Sequence, residues 1–215
     1  RQMCIRDSHT ITLGAGHWSS SYATPLFGDT LFSTATVKDL TIKWSGTIGG
    51  YDGNWGLLVG KNYGTIQNVH FVPTGPIEIT ASSKTHYLAV GALVGACLDG
   101  GKVIDCSVGT EEYPVVITTT HRQENHGYGN RLSKIGGLVG MVNSEAEDRT
   151  SEVRFTSENT GGVYVTLNVN DTEIYDWIEL TVGGVVGVLY GNSRFVVEDG
   201  TSLTAQCEMN FQRAY

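Results

Sequence analysis

Hydrophobic residues in this chain come in short bursts fenced by glycine. The phrase Gly56-Leu57-Leu58-Val59-Gly60 returns as Gly91-Ala92-Leu93-Val94-Gly95, Gly136-Gly137-Leu138-Val139-Gly140 and Gly183-Gly184-Val185-Val186-Gly187. The closing glycines are 35, 45 and 47 residues apart. A second phrase, apolar-x-x-apolar-x-apolar, keeps step with the first. Its copies are Val37 to Ile42, Ile66 to Phe71 and Val103 to Val108, with shortened forms at Val153-Arg154-Phe155 and Phe195-Val196-Val197. Alternation within these copies predicts strands with one buried and one solvated face. A looser third strand is expected at Ile77-Glu78-Ile79, Val115-Val116-Ile117, Val163 to Leu167 and Leu203-Thr204-Ala205.

Three strands per period, returning each time to glycine, predict stacked coils. The expected fold is all-β: a right-handed parallel three-sided β-solenoid (β-helix) of about four to five coils with loop insertions. Residues 37–205 form the repeats and 9–36 an N-terminal cap or partial coil. Residues 206–215 read as a truncated C-terminal end. Residues 1–8 lack the apolar centre of a signal peptide and read as translated read-through, outside the fold. The glycines that close each phrase, Gly60, Gly95, Gly140 and Gly187, are expected at corners that need a positive φ. Asn54, Asn62, Asn68 and Asn192 are expected at turns, where Asn tolerates the left-handed region.

Gly56 to Phe71, with Asn62, Gly64, Ile66, Asn68 and Val69, resembles the GLUG-motif repeat of bacterial surface proteins. Gly91 to Val108 matches with a longer turn and supplies Cys106, while the third and fourth copies keep only the glycine phrase. The resemblance covers about residues 37–205. It implies an extracellular or cell-surface location and service as a stalk or binding module of an adhesin-like protein. It implies no reaction.

Composition adds limits. Glycine contributes 28 of 215 residues, charged residues are 17% and the net charge is -8. The basic residues are scattered along the sequence, so no stripe for a phosphate backbone is expected and nucleic acid is not a predicted partner. No apolar run is long enough to span a bilayer. Asn143 to Glu152, the best helical stretch, is polar on all sides. Cys97, Cys106 and Cys207 lack the C-x-x-C spacing of a zinc or redox site, and Cys106 takes a ladder place held elsewhere by Leu40 and Val69.

Function is sought where the repeats differ. The longest insertions, residues 80–90, 118–135 and 168–181, fall at one corner, with 45–55 as their counterpart below. They gather Tyr51, Trp55, Tyr87, His121, His126, Tyr128, Tyr175 and Trp177. Aromatic rings beside carboxylates suit carbohydrate, whose C–H face stacks on a ring while its hydroxyls take polar partners. These eight are the candidate ligand-binding residues, with carbohydrate or a cell-surface protein as the expected partner. The competing reading folds Trp55 and Trp177 down as covers for the coils. His121, Glu124 and His126 follow no helical metal motif. Asp171, Glu173 and Asp176 offer oxygen donors of the kind calcium takes, without the glycine of an EF-hand loop. No other cofactor is expected.

The alternative is a polysaccharide lyase or hydrolase of the parallel β-helix class, which sets carboxylates on an exposed sheet. The outward column expected from the second phrase is Thr41, His70, Ser107, Arg154 and Val196, which contains no carboxylate pair. Asp39, Asn68 and Asp105 fall one step earlier and read as turn-capping side chains. No catalytic residue is predicted, and the threonine runs share no phase that would suit an ice-binding face.

Overall fold

The computed structural model describes residues 9–14, 18, 24–50, 53–83, 87–121, 131–171 and 178–213. Among them every element is a strand, and no helix is long and apolar enough to cross a membrane. The strands form three sheets, of ten, five and four members. Every pairing between them is parallel. Each pass of the chain visits the sheets in the same order. Val59–Asn62 lies in the five-stranded sheet, Thr65–Ser83 in the ten-stranded sheet and Tyr87–Gly91 in the four-stranded sheet, and Val94–Leu98 returns to the five-stranded one. This arrangement is compatible with a β-helix. Asn143 to Glu152, the best helical stretch of the sequence, holds no helix: Val139–Ser144 and Ser151–Phe155 are strands joined by a turn.

The glycine phrase sets the register. Val59 pairs with Val94, Val94 with Val139 and Val139 with Val186. The phrase itself is a corner between two strands rather than one strand, which corrects the expectation from sequence. The backbone bends at its centre, and the bends bond to one another: Leu57 N–H donates to Ala92 O at 3.0 Å, Leu93 N–H to Leu138 O at 3.1 Å and Leu138 N–H to Val185 O at 2.8 Å. Leu26 and Phe27 stack on the same corner from below, through bonds of 2.9 Å to Leu57 O and Leu58 O.

Gly60, Gly95, Gly140 and Gly187 are not in the left-handed region, so the positive-φ explanation fails for all four. Their smallness is needed for another reason. Each closing glycine packs backbone to backbone against the corner of the neighbouring pass. A Cβ on Gly140 would stand 2.6 Å from Val90 N and 2.7 Å from Gly95 O, and one on Gly60 would stand 2.7 Å from Asn54 O. Those are distances that real side-chain atoms do not reach.

Left-handed positions fall elsewhere, among them Asp39 (φ 55°), Asn68 (φ 52°) and Asp105 (φ 50°). They account for the second phrase. In an unbroken strand Ile66 and Val69 would face opposite sides, because side chains alternate. One left-handed residue between them resets that alternation, so Ile66, Val69 and Phe71 are all fully buried. Val103, Cys106 and Val108 repeat the pattern at 0–1% exposure. Val37, Ile66, Val103, Val153 and Phe195 pair successively, as the sequence phase predicts. The third column is Ile77, Val115, Val165 and Cys207, so its last member lies beyond the expected Leu203-Thr204-Ala205. Arg154 and Val196 also leave the outward column assigned to them. They stack with Ile104, whereas Thr41, His70 and Ser107 stack together.

One end of the stack is closed. Trp18 meets Trp44 edge-on with centroids 4.9 Å apart, and both are 2% exposed. Their indole N–H groups donate to Thr24 O and Gly14 O. In the last described strands the apolar columns continue, with Phe211 62%, Val197 45%, Leu189 43% and Met209 41% exposed.

Candidate binding surfaces

The insertions share one corner, as strand ends on both sides of it demonstrate. Entering the corner, Ser83, His121 and Asp171 are in register. Leaving it, Tyr87 pairs with Leu132, and Arg131 with Ile178. The ladder runs further into these insertions than the sequence suggested, up to Ser83, His121 and Asp171. Tyr51, His126, Tyr128, Tyr175 and Trp177 lie outside the described residues. So do Glu173 and Asp176 of the calcium reading, while Tyr87, His121 and Asp171 are placed by their backbone alone. Trp55 is corrected: it is 2% exposed and belongs to the hydrophobic core, because its strand Gly53–Trp55 turns it inward beneath Val90. Among the described residues no group of three or more His, Cys, Asp or Glu is arranged to hold a metal.

A polar chain missed in the sequence crosses the outer face of the ten-stranded sheet. Asn68 Nδ2 donates to Asp39 Oδ1 at 2.9 Å. Asn68 Oδ1 lies 2.7 Å from His70 Nε2, and His70 Nδ1 lies 2.7 Å from Ser107 Oγ. A carbonyl oxygen only accepts, so Nε2 carries the proton and Ser107 donates to Nδ1. Burial lowers the His70 pKa, partly offset by the Asp105 carboxylate, and favours this neutral form. Asp105 itself caps the next pass, accepting from Thr156 N at 2.6 Å and Thr156 Oγ1 at 2.7 Å. The signal available beforehand was the two-residue offset between Asn68 and His70 and the matching phase of Ser107.

Hydroxyl, imidazole and carbonyl in line are the parts of an activated nucleophile. The surroundings do not let them act as one. Ser107 is 6% exposed, and Gly161 lies directly against its Cβ and Oγ. The chain of bonds serves to pin the left-handed residues, whose conformation otherwise costs about 1–3 kcal/mol each.

A more open feature lies on the same sheet, a groove of about 540 Å³ bounded by Thr47, Pro76, Glu78, Glu112, Tyr113 and Pro114. A local turn holds Tyr113, whose N–H donates to Thr110 Oγ1 at 3.0 Å. Its hydroxyl bonds to Glu112, which raises the phenol pKa. An aromatic ring flanked by proline and two carboxylates offers a sugar both a stacking face and hydroxyl acceptors. No protein-family model, curated protein or solved structure matches the chain.

Proposed function

We propose that this chain is a segment of a right-handed three-sided β-solenoid in an adhesin-like surface protein of the GLUG-repeat kind. It works outside the cell, as a stalk or binding module, and carries no reaction. Its partner is carbohydrate, or a cell-surface protein that bears it. The observation that carries this reading is the alignment of strand ends on both sides of the insertion corner. Loops that leave stacked strands at one corner form one surface. By sequence, the insertions between those strand ends carry Trp177, Tyr175 and Tyr128 together with acidic residues. A rigid parallel stack displays such loops at a spacing of about 4.8 Å per pass. Rigidity of that kind lowers the ordering cost of recognition.

A glycan array probed with the purified chain tests the proposal. Binding that Trp177→Ala abolishes, with the thermal midpoint unchanged, supports the insertion corner as the recognition surface. Binding that survives Trp177→Ala and disappears with Tyr113→Ala moves recognition to the Tyr113 groove. Cleavage of an arrayed glycan would replace the binding module with an enzyme of the β-helix class.

A further inference from the structure

A second groove, of about 420 Å³, runs along the corner between the five-stranded and ten-stranded sheets, away from the insertions. Five successive passes contribute to it, through Ser33, Tyr63, Lys102, Arg149 and Arg194 in turn. At about 4.8 Å per pass it extends roughly 20 Å along the stack. The chain is acidic overall, with only 14 Lys and Arg among 215 residues. Three of those cations nevertheless meet here, and Arg154 stands beside them in contact with Glu152.

The floor and the walls have different chemistry. Glu152, 5% exposed, lies at the floor, where Arg194 Nε donates to its carboxylate at 2.8 Å and Arg154 Nε stands 3.6 Å away. Asp99 lines the same groove, and its carboxylate accepts the Glu145 N–H at 3.0 Å. Lys102 and Arg149 form the wall. Among the described residues neither side chain has an ion pair or a hydrogen bond. Arg149 is nevertheless held in place. Its carbonyl accepts from Ser144 Oγ and Asn192 Nδ2, both at 2.8 Å, and its methylene stem lies along Gly100. Its backbone is fixed, and its exposed guanidinium remains free to take an anion at the groove wall.

We propose that this groove binds an anionic oligosaccharide, with a sugar carboxylate or sulfate on Arg149 and Lys102. The planar guanidinium fork matches either group through two parallel hydrogen bonds. Tyr63 supplies a ring face for the sugar, and Asp99 and Glu152 accept its hydroxyls. Two carboxylates within the groove leave three cations with a small excess of positive charge. That balance suits isolated single charges spaced along a polyol and opposes a polyphosphate or nucleic acid, whose dense charge would face both carboxylates. This site shares no residue with the insertion corner, so it stands or falls separately from the function proposed above.

Calorimetry on the whole chain with three probes tests it: an oligogalacturonate, a sulfated galactan oligosaccharide, and the methyl-esterified oligogalacturonate as the neutral control. The expected result is binding of at least one anionic probe, weakened by salt, with the esterified probe about ten-fold weaker or worse. Which anionic probe binds decides between carboxylate and sulfate. Arg149→Gln weakens binding about ten-fold with an unchanged melting midpoint, Arg149→Lys retains part of it, and Trp177→Ala leaves it intact. Should Arg149→Gln fail to fold, Lys102→Gln carries the same expectation. The proposal is overturned if neither anionic probe binds, if the esterified probe binds as well as its parent, or if the folded variants bind like the unmodified chain.

Discussion

Thr119 shows how finely the interior is tuned at single positions. Its side chain occupies an inward column between Ala81 and Val169 and is fully buried, yet among the described residues its Oγ1 has no hydrogen-bond partner. A buried hydroxyl without a partner keeps its desolvation cost. Thr119→Val keeps the branched shape and removes that cost, so it should raise stability by about 1 kcal/mol in urea melts. A loss of stability would show that the hydroxyl is satisfied. His70 makes a second prediction at this scale. Its folded pKa lies below the ordinary 6.5, because burial disfavours the imidazolium more than Asp105 favours it. The unfolded chain therefore binds more protons as pH falls below about 6.5, and stability declines from there down to the folded pKa. Asp39 reaches His70 only through Asn68. The melting midpoint of the native chain should fall more between pH 7 and 5 than that of His70→Gln, and parallel pH profiles would remove His70 as the cause. Cys97 and Cys106, pushed up to about 12 by burial, stay as thiols throughout this range and add no charge.

Among the elements, the corner has the least tolerance. Four copies of the glycine phrase bend between the four- and five-stranded sheets, and the strands on either side touch through backbone atoms. A single added methyl at Gly140 meets Val90 N and Gly95 O, neither of which can turn aside. Gly140→Ala should therefore cost about 3 kcal/mol or more, the size expected when overpacking forces backbone to move. Gly200→Ala is the instructive contrast. Gly200 has a positive φ of 77° but open space around it, so only conformational strain of about 1–2 kcal/mol applies. Equal losses in the two variants, measured by chemical denaturation, would mean that the corner relaxes and that close approach is not what glycine provides there.

At the scale of the whole stack, Trp18 and Trp44 pack together beside the first passes, while Phe195, Val197, Met209 and Phe211 continue buried columns into the last described layer. In a stack where each pass rests on its neighbours, stability is shared between adjacent layers, and a layer with one neighbour has less of it. Amide exchange should therefore be slowest in the central strands Val94–Leu98 and Val139–Ser144 and fastest among the last three, Val186–Gly191, Ser193–Val197 and Ala205–Arg213. Uniform protection from one end to the other would mean all-or-none unfolding of the stack.

The sequence by itself determined the parallel ladder. Periodic valines and the shared phase of the five-member column Val37, Ile66, Val103, Val153 and Phe195 are local patterns, and burial of alternate residues leaves them written in order along the chain. It also pointed to the asparagine at Asn68 as a turn residue. It misjudged what the glycines of the repeated phrase do, because a clash depends on a strand from another pass and leaves no mark beside the glycine. It placed Trp55 among candidate ligand contacts for the same reason, since nothing near Trp55 in the chain reveals which way its short strand faces. The encounter of Lys102, Arg149 and Arg194 in one groove was decided only by the tertiary structure. Insertions of unequal length separate these residues irregularly in sequence, and the stacking of successive passes cancels that irregularity in space.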